Sequence, residues 1–66
     1  MTVTITIECD NSAFDQCGDE VSRILMRLVN HIGTTGLWER ENFYELHNYP
    51  LIDFNGNRVG SVTVSE

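Results

Sequence analysis

Apolar and polar residues alternate at the start of the chain. Between Thr2 and Cys9 every second side chain is apolar, and the others are threonine or glutamate. This period of two predicts a β-strand with one buried face and one face in solvent. The apolar face comprises Val3, Ile5, Ile7 and Cys9.

A helical period governs residues 21–32. Apolar residues follow the i, i+3, i+4, i+7 spacing of a helix with one buried face, at Val21, Ile24, Leu25, Leu28, Val29 and Ile32. We expect this helix to begin at Gly18 or Asp19 and to end at Ile32, where Gly33 supplies the left-handed residue that closes many helices. Phe14 is the one large apolar residue in the preceding connection, and we expect it to pack over the start of the helix.

The last third of the chain predicts a β-hairpin. Asn55-Gly56-Asn57 separates two apolar runs, and an Asn-Gly pair in that position is the strongest short-range signal for a hairpin. Asp53 favours a three-residue loop in which Gly56 is left-handed. The apolar phase slips by one residue after Val59, which predicts a β-bulge at Gly60.

Residues 34–50 follow neither period, although they are rich in aromatic side chains. One interpretation is a short second helix that begins near Glu39 and ends near His47. The other is a strand over residues 42–47. We expect an irregular loop that leads into a strand.

These elements predict an α+β fold of the β-α-β-β type in a single domain, residues 1–66. One amphipathic helix packed on a three-stranded sheet buries every periodic apolar set at once. We expect the strand order 1-3-2, antiparallel throughout. The alternative places the first strand parallel to the second.

The net charge and the chain length limit the classes of partner and activity that we expect. Ten acidic residues stand against four arginines and no lysine, for a formal net charge of −6. Because binding to phosphates needs a basic surface, nucleic acids and anionic membranes are disfavoured as direct partners, whereas a basic protein is compatible. A chain of 66 residues has little room for a deep substrate cleft beside its core, so we expect neither enzymatic activity nor a cofactor. The chain starts with a strand pattern rather than a secretory signal, which favours a cytoplasmic protein.

Two features are candidates for binding a protein partner. One is the acidic patch at the helix start, and the other is the aromatic stretch from Trp38 to Tyr49, since interfaces favour aromatic anchors. The candidate residues are Asp10, Asp15, Asp19, Glu20, Trp38, Glu39, Glu41 and Tyr44. The alternative is that Trp38 and Phe43 complete the hydrophobic core.

The residues that could bind metal or act as nucleophiles lack the usual spacing. Cys9, Cys17, His31 and His47 contain no tight pair of the C-x-x-C or H-x-x-x-H kind, so we expect no zinc site. Both cysteines are expected to be free thiols, and a disulfide between Cys9 and Cys17 is the alternative. The segment from Asp10 to Asp15 lacks the ligand spacing and the terminal glutamate of a calcium loop.

The motifs resemble those of a group of small bacteriophage-encoded proteins. These proteins begin with a short strand followed by E-C-D-N-x-A-F, continue with an E-V-x-R-I-L helix, and end with a D-x-N-G-N-x-V-G hairpin. The corresponding segments are Glu8–Phe14, Glu20–Leu25 and Asp53–Gly60, whereas residues 34–50 look like an insertion. Compact acidic phage proteins of this size include anti-CRISPR and other anti-defence inhibitors, which bind host nucleases by protein contact.

The resemblance and the charge together lead to one main hypothesis and two alternatives. The main hypothesis is a non-enzymatic phage inhibitor in the host cytoplasm that docks on a basic, nucleic-acid-handling host protein. The second is a structural or regulatory homodimer, joined through an exposed strand edge or the aromatic stretch. The third is a metal-binding module.

Overall fold

The computed structural model describes all residues, 1–66, and has the predicted α+β architecture. One long helix and one short helix accompany a three-stranded sheet. The elements are β1 (Thr2–Ile7), α1 (Cys17–Thr35), α2 (Arg40–Phe43), β2 (Tyr49–Ile52) and β3 (Arg58–Ser65). Single turns of 3-10 helix lie at Ser12–Phe14 and Tyr44–Leu46.

The sheet has the strand order β1-β3-β2 with both pairs antiparallel, which confirms the predicted topology. The central strand β3 pairs with β1 from Thr2–Ser65 to Ile7–Gly60. Residues paired across neighbouring strands point to the same side of a sheet. One side therefore carries the apolar residues of β1 and β3, and the other carries their threonines and serines.

The hairpin between β2 and β3 also has the predicted form. Gly56 is left-handed at φ 88°, and its N–H donates to the carbonyl of Asp53. The pairing with β3 shifts between Leu51 and Ile52, so Val59 is the extra residue of a bulge next to Gly60. Gly60 is required there, because a Cβ would lie 1.8 Å from the carbonyl oxygen of Thr6 in β1.

Helix α1 is longer than predicted, because it continues through Gly33 to Thr35. Gly36 closes the helix at φ 71°, and its N–H donates to the carbonyl of Ile32. The sequence has a glycine at position 33 and another at position 36, so either could end the helix. Residues 34 and 35 carry no apolar side chain that would extend the apolar face of α1 and indicate the later end. Gly33 was therefore the wrong prediction for the helix end.

The buried face of α1 is displaced from the centre of its apolar stripe. Ile24 and Leu28 are buried, whereas Val29 is 60% exposed. Arg23 reaches the carbonyl of Ile52, and Arg27 lines a cavity of about 50 Å³ beside β2. The helix thus lies over β2, and its other flank is left open.

The open flank leaves part of the sheet uncovered as well. Val3 and Ile5 in β1 are 42% and 45% exposed, although their partners Val64 and Val62 in β3 are buried. The prediction that β1 buries its whole apolar face is therefore wrong for these two residues. Phe14, in contrast, is buried against the core as expected. The buried apolar core comprises Ala13, Phe14, Ile24, Leu28, Leu37, Leu46, Leu51, Val59, Val62 and Val64.

The aromatic segment between α1 and β2 is helical rather than an irregular loop. The short helix α2 and the following 3-10 turn bury Leu46, which is 1% exposed. The interpretation as a short helix that ends near His47 was thus the correct one, and the expected loop was wrong. No helix in the chain has the length and apolar character needed to cross a membrane.

Candidate functional site

The buried carboxylate of Asp53 accepts hydrogen bonds from two separate segments at the end of the molecule where α1 begins. Asp53 is 2% exposed and accepts hydrogen bonds from the N–H groups of Asn55 (2.9 Å) and Asn57 (2.8 Å). It also accepts one from the side-chain amide of Asn11 (2.9 Å). Burial by itself would raise the pKa of Asp53, but the hydrogen bonds from Asn57, Asn11 and Asn55 outweigh it and hold the pKa below its ordinary value. Asp53 is therefore a charged structural group that ties the hairpin to the turn before α1.

A second carboxylate ties the helix to the same hairpin. Arg23 donates two hydrogen bonds of 2.8 Å to Glu20, one to each carboxylate oxygen, and a third of 3.1 Å to the carbonyl of Ile52. Glu20 also accepts from the N–H of Phe54 at 2.8 Å. The bond from Arg23 is the main reason why the pKa of Glu20 is lowered, and the same bond raises the pKa of Arg23.

The residues of the three resemblance motifs meet in this network. Asn11 comes from the first motif, Glu20 and Arg23 from the helix motif, and Asp53 from the hairpin motif. They are held together by hydrogen bonds, so the motifs encode a structural connection between segments far apart in sequence. Glu20 was predicted to contact a partner, but it is 6% exposed and its carboxylate is occupied. Glu20 lines the depression at the start of α1 together with Arg23, but its carboxylate oxygens are already bonded to Arg23 and to the N–H of Phe54, so we place no partner contact on it.

The other acidic residues at this end of the molecule are exposed. Asp10, Asp15 and Asp19 all point to solvent, and Asp15 and Asp19 line an open depression of about 410 Å³. Phe54 lines the same depression and is 63% exposed. We call Asp10, Asp15, Asp19 and Phe54 the helix-start face. It combines negative charge with an aromatic ring at the surface.

Sequence reasoning missed Phe54 as a surface residue. The sequence pattern places it in the apolar run before Asn55-Gly56-Asn57. No local signal indicates its exposure, because Phe54 turns outward next to Asp53 and the burial of Asp53 depends on the fold. The bond from the Phe54 N–H to Glu20 then holds the backbone in place.

A second exposed surface lies beyond the end of α1. Trp38 is 75% exposed, and Glu39 and Glu41 are exposed beside it in the chain. We call these three residues the helix-end face. The alternative that Trp38 completes the core is therefore wrong, while Phe43 is half-buried against the core.

Tyr44 contributes less to this surface than predicted. Its ring packs against the core, and its hydroxyl donates a hydrogen bond to the carboxylate of Glu66. This bond is the main reason why the pKa of Tyr44 is raised. Tyr44 therefore acts in attaching the end of the chain, beyond β3, to the segment after α1.

The structure does not join the two faces into one site. The helix between them has 19 residues, which corresponds to about 28 Å at 1.5 Å per residue. A flat partner surface would have to extend along the whole helix to contact both. The predicted set of residues thus forms two separate groups.

The cysteines and histidines form no reactive or metal-binding group. Cys9 and Cys17 are free, and burial, followed by the neighbouring Cys17 thiol, raises the pKa of Cys9, which disfavours its thiolate form. The ring of His31 stacks on Tyr49 at 4.3 Å between centroids, and Nδ1 of His47 accepts from the N–H of Val64. No three side chains of the ligand types are placed to hold a metal ion together.

Comparisons with protein-family models, curated proteins and solved structures find no match to this chain. The features of the structure that bear on a partner are therefore the two exposed faces and the charge distribution. Among these, the charge distribution distinguishes most sharply between classes of partner.

Proposed function

We propose that this protein is a non-enzymatic phage inhibitor of the anti-CRISPR or anti-defence type. It binds a basic, nucleic-acid-handling protein of the host through the helix-start face. In this role its carboxylates occupy positions that the phosphates of a nucleic acid would otherwise take. The phage origin in this proposal comes from the motif resemblance.

One observation carries the proposal: the exposed carboxylates outnumber the exposed arginines, and none of them forms an ion pair. Of the ten acidic residues, Glu20 and Asp53 are buried and the other eight are exposed. The one ion pair in the structure, between Arg23 and Glu20, uses a buried carboxylate. The eight exposed carboxylates thus have no cationic partner within the chain, and a basic partner protein would supply one.

The helix-start face offers the two kinds of contact that such a partner would use. Asp15 and Asp19 would accept charge-assisted hydrogen bonds from arginine or lysine side chains. Phe54 adds an apolar surface and a ring on which a guanidinium can stack. Long-range attraction between the acidic chain and a basic surface would speed association, and this effect weakens as salt is added.

The geometry also favours binding over catalysis. The two carboxylates with lowered pKa, Glu20 and Asp53, are both occupied by hydrogen bonds inside the fold. The thiol of Cys9 has a raised pKa, and each histidine has a structural contact. An inhibitor that competes by contact needs none of these groups to react.

The test is restoration of phage growth on defended bacteria. The protein is expressed in a panel of strains, each with one active nuclease-based defence system, and plaques of a targeted phage are counted. We expect plaque numbers to rise in at least one strain relative to the same strain without the protein. The Asp15→Lys/Asp19→Lys variant should abolish this effect, because it reverses the charge facing the partner.

The matched control is Glu39→Lys/Glu41→Lys, which changes the net charge by the same amount at the helix-end face. It should keep its protective effect if the helix-start face is the docking surface. Equal loss in both variants would mean that overall charge, rather than this face, is responsible. No rise in plaque numbers in any strain would contradict the proposal.

A further inference from the structure

Strand β1 forms an unprotected edge of the sheet, whereas the opposite edge, formed by β2, is protected against pairing with another strand. Natural sheets blunt their exposed edges with proline, charged residues, bulges or short strands. The edge strand β2 has Pro50, a register shift after Leu51 and a length of four residues. Strand β1 runs for six residues, Thr2–Ile7, with no proline, no charge and no register shift against β3.

The backbone groups on this edge can be assigned to particular residues. The N–H of Glu8 donates to the carbonyl of Val59 in β3 at 2.7 Å. Because backbone groups alternate in direction along a strand, Thr2, Thr4 and Thr6 also bond to β3. The N–H and carbonyl groups of Val3, Ile5 and Ile7 therefore point away from the sheet and lack a partner strand.

The apolar surface beside this edge is equally uncovered. Val3 and Ile5 lie on the core side of the sheet but are 42% and 45% exposed. On α1, Arg27 faces β2, and Val29 lies two residues further on, about 200° around the helix. The flank with Leu25 and Val29 therefore faces the β1 side, where Val29 remains 60% exposed.

We infer that a second copy of this chain covers this surface, through antiparallel pairing of β1 with β1. With the two-fold axis at Ile5, each Val3 faces an Ile7 of the other copy and the two Ile5 residues face each other. All three residues with outward backbone groups then bond to the other chain, and at Ile7 the new bond joins the weak one that the Cys9 thiol donates to its carbonyl at 3.8 Å. The pairing continues both sheets into one of six strands.

The same register matches side chains and charge. Thr4 faces Thr6, so hydroxyl side chains meet on one side of the sheet and apolar side chains on the other. Glu8 faces the uncharged Thr2, and no carboxylate meets another across the strand pair. The two helices lie on the same side of the joined sheet, so the flanks with Leu25 and Val29 face each other over the paired Val3 and Ile5.

The first test is the mass in solution, measured by sedimentation equilibrium from micromolar to millimolar concentration. We expect a twofold rise from the monomer mass of 7.5 kDa. The Ile5→Lys variant should remain monomeric, because the two-fold axis places like charges opposite each other. Met26→Lys introduces the same charge at a side chain that is 57% exposed on α1, and it should dimerise as the parent does.

The second test is amide hydrogen exchange, which measures which amides of β1 become hydrogen-bonded to the second copy. At high concentration the amides of Val3, Ile5 and Ile7 should become protected, whereas those of Thr4 and Thr6 should be protected at every concentration. A monomer mass throughout would overturn the inference. A dimer that survives Ile5→Lys, or that leaves the three edge amides unprotected, would overturn it as well. Neither result bears on the helix-start face.

Discussion

Two buried carboxylates hold together segments that are far apart in the chain. Asp53 bonds to the turn before α1, and Glu20 bonds to the hairpin through Phe54 and through its pair with Arg23. Both carboxylates are largely buried among groups that donate to them, and these hydrogen bonds favour the charged form of each. Replacing either carboxylate alone destabilises the fold, because the groups that donate hydrogen bonds to it are left without an acceptor.

Replacing the buried Glu20 should destabilise the protein far more than replacing its exposed neighbour Asp19. Glu20→Gln leaves the Arg23 guanidinium without its carboxylate and weakens the link to the hairpin. Its neighbour Asp19 is exposed, and Asp19→Asn should cost only about 0.3–1 kcal/mol through the lost interaction with the helix dipole. We expect the unfolding midpoint in urea to fall several times further for Glu20→Gln. Similar midpoints for the two variants would show that the network contributes little.

Gly60 should be the glycine least tolerant of a side chain. In Gly60→Ala the new Cβ would lie 1.8 Å from the Thr6 carbonyl oxygen, which is backbone and cannot rotate away. The strands would have to separate, and we expect a loss of stability on the order of 3 kcal/mol. Gly18→Ala is the control, since a Cβ at Gly18 meets nothing within 4 Å. Thermal unfolding of both variants measures the difference.

At the scale of elements, α1 illustrates the limits of a periodic pattern. Its apolar stripe spans more of the helix surface than the sheet covers, and the bonds from Arg23 to Glu20 and Ile52 favour the β2 side. Ile24 and Leu28 consequently occupy the core, while Val29 is exposed. The orientation of α1 about its own axis is therefore set by the flank with polar partners, which faces β2.

Two glycines of α1 should respond to alanine in opposite directions. Gly33 lies inside the helix with open space around it, so Gly33→Ala should stabilise the protein by about 0.5–1 kcal/mol. Gly36 is left-handed at φ 71°, and Gly36→Ala should destabilise it by about 1–2 kcal/mol. Urea unfolding distinguishes the two. If Gly36→Ala were the stabilising variant, the helix would not end where the structure places it.

The whole molecule should lose stability in acid. The pKa values of Glu20 and Asp53 are lowered by folding, from ordinary values of 4.5 and 3.8. Above those values both groups are charged in either state, and their contribution to stability is fully present. As the pH falls below them, the unfolded chain takes up protons first, and the contribution is lost as the pH passes through the folded pKa values.

We therefore expect the unfolding temperature to be level near neutral pH and to decrease steadily below about pH 4.5. Circular dichroism melts between neutral pH and about pH 2.5 measure this dependence. Glu20→Gln should flatten the acid side of the curve, since it removes one of the two responsible groups. A melting temperature unchanged down to pH 3 would contradict the assignment.

At this largest scale two groups of exposed carboxylates are separated by the length of α1. The helix-start face and the helix-end face lie at opposite ends of that helix, whereas strand β1 carries no charged residue. The acidic ends and the neutral edge thus suit different partners, a basic protein for the first and a second copy for the edge. A partner contacted by one face does not require the other.

Local residue patterns were sufficient to predict the strands, the main helix, the hairpin with its bulge and the strand order. The elements depend on neighbours a few residues away: alternation for β1, the helical period for α1, and an Asn-Gly pair for the turn at Gly56. The strand order follows from the requirement that one core bury all their apolar faces. The motif residues could also be recognised in the sequence, although the bonds that join them could not.

The tertiary structure alone decided which side chains are covered. Burial of Glu20 and Asp53, exposure of Trp38 and Phe54, and the uncovered apolar side of β1 all depend on where the helix lies across the sheet. That position depends on contacts between segments about 30 residues apart, such as the one from Arg23 to Ile52. A periodic pattern states that a face is apolar, but only packing determines how much of it another element covers.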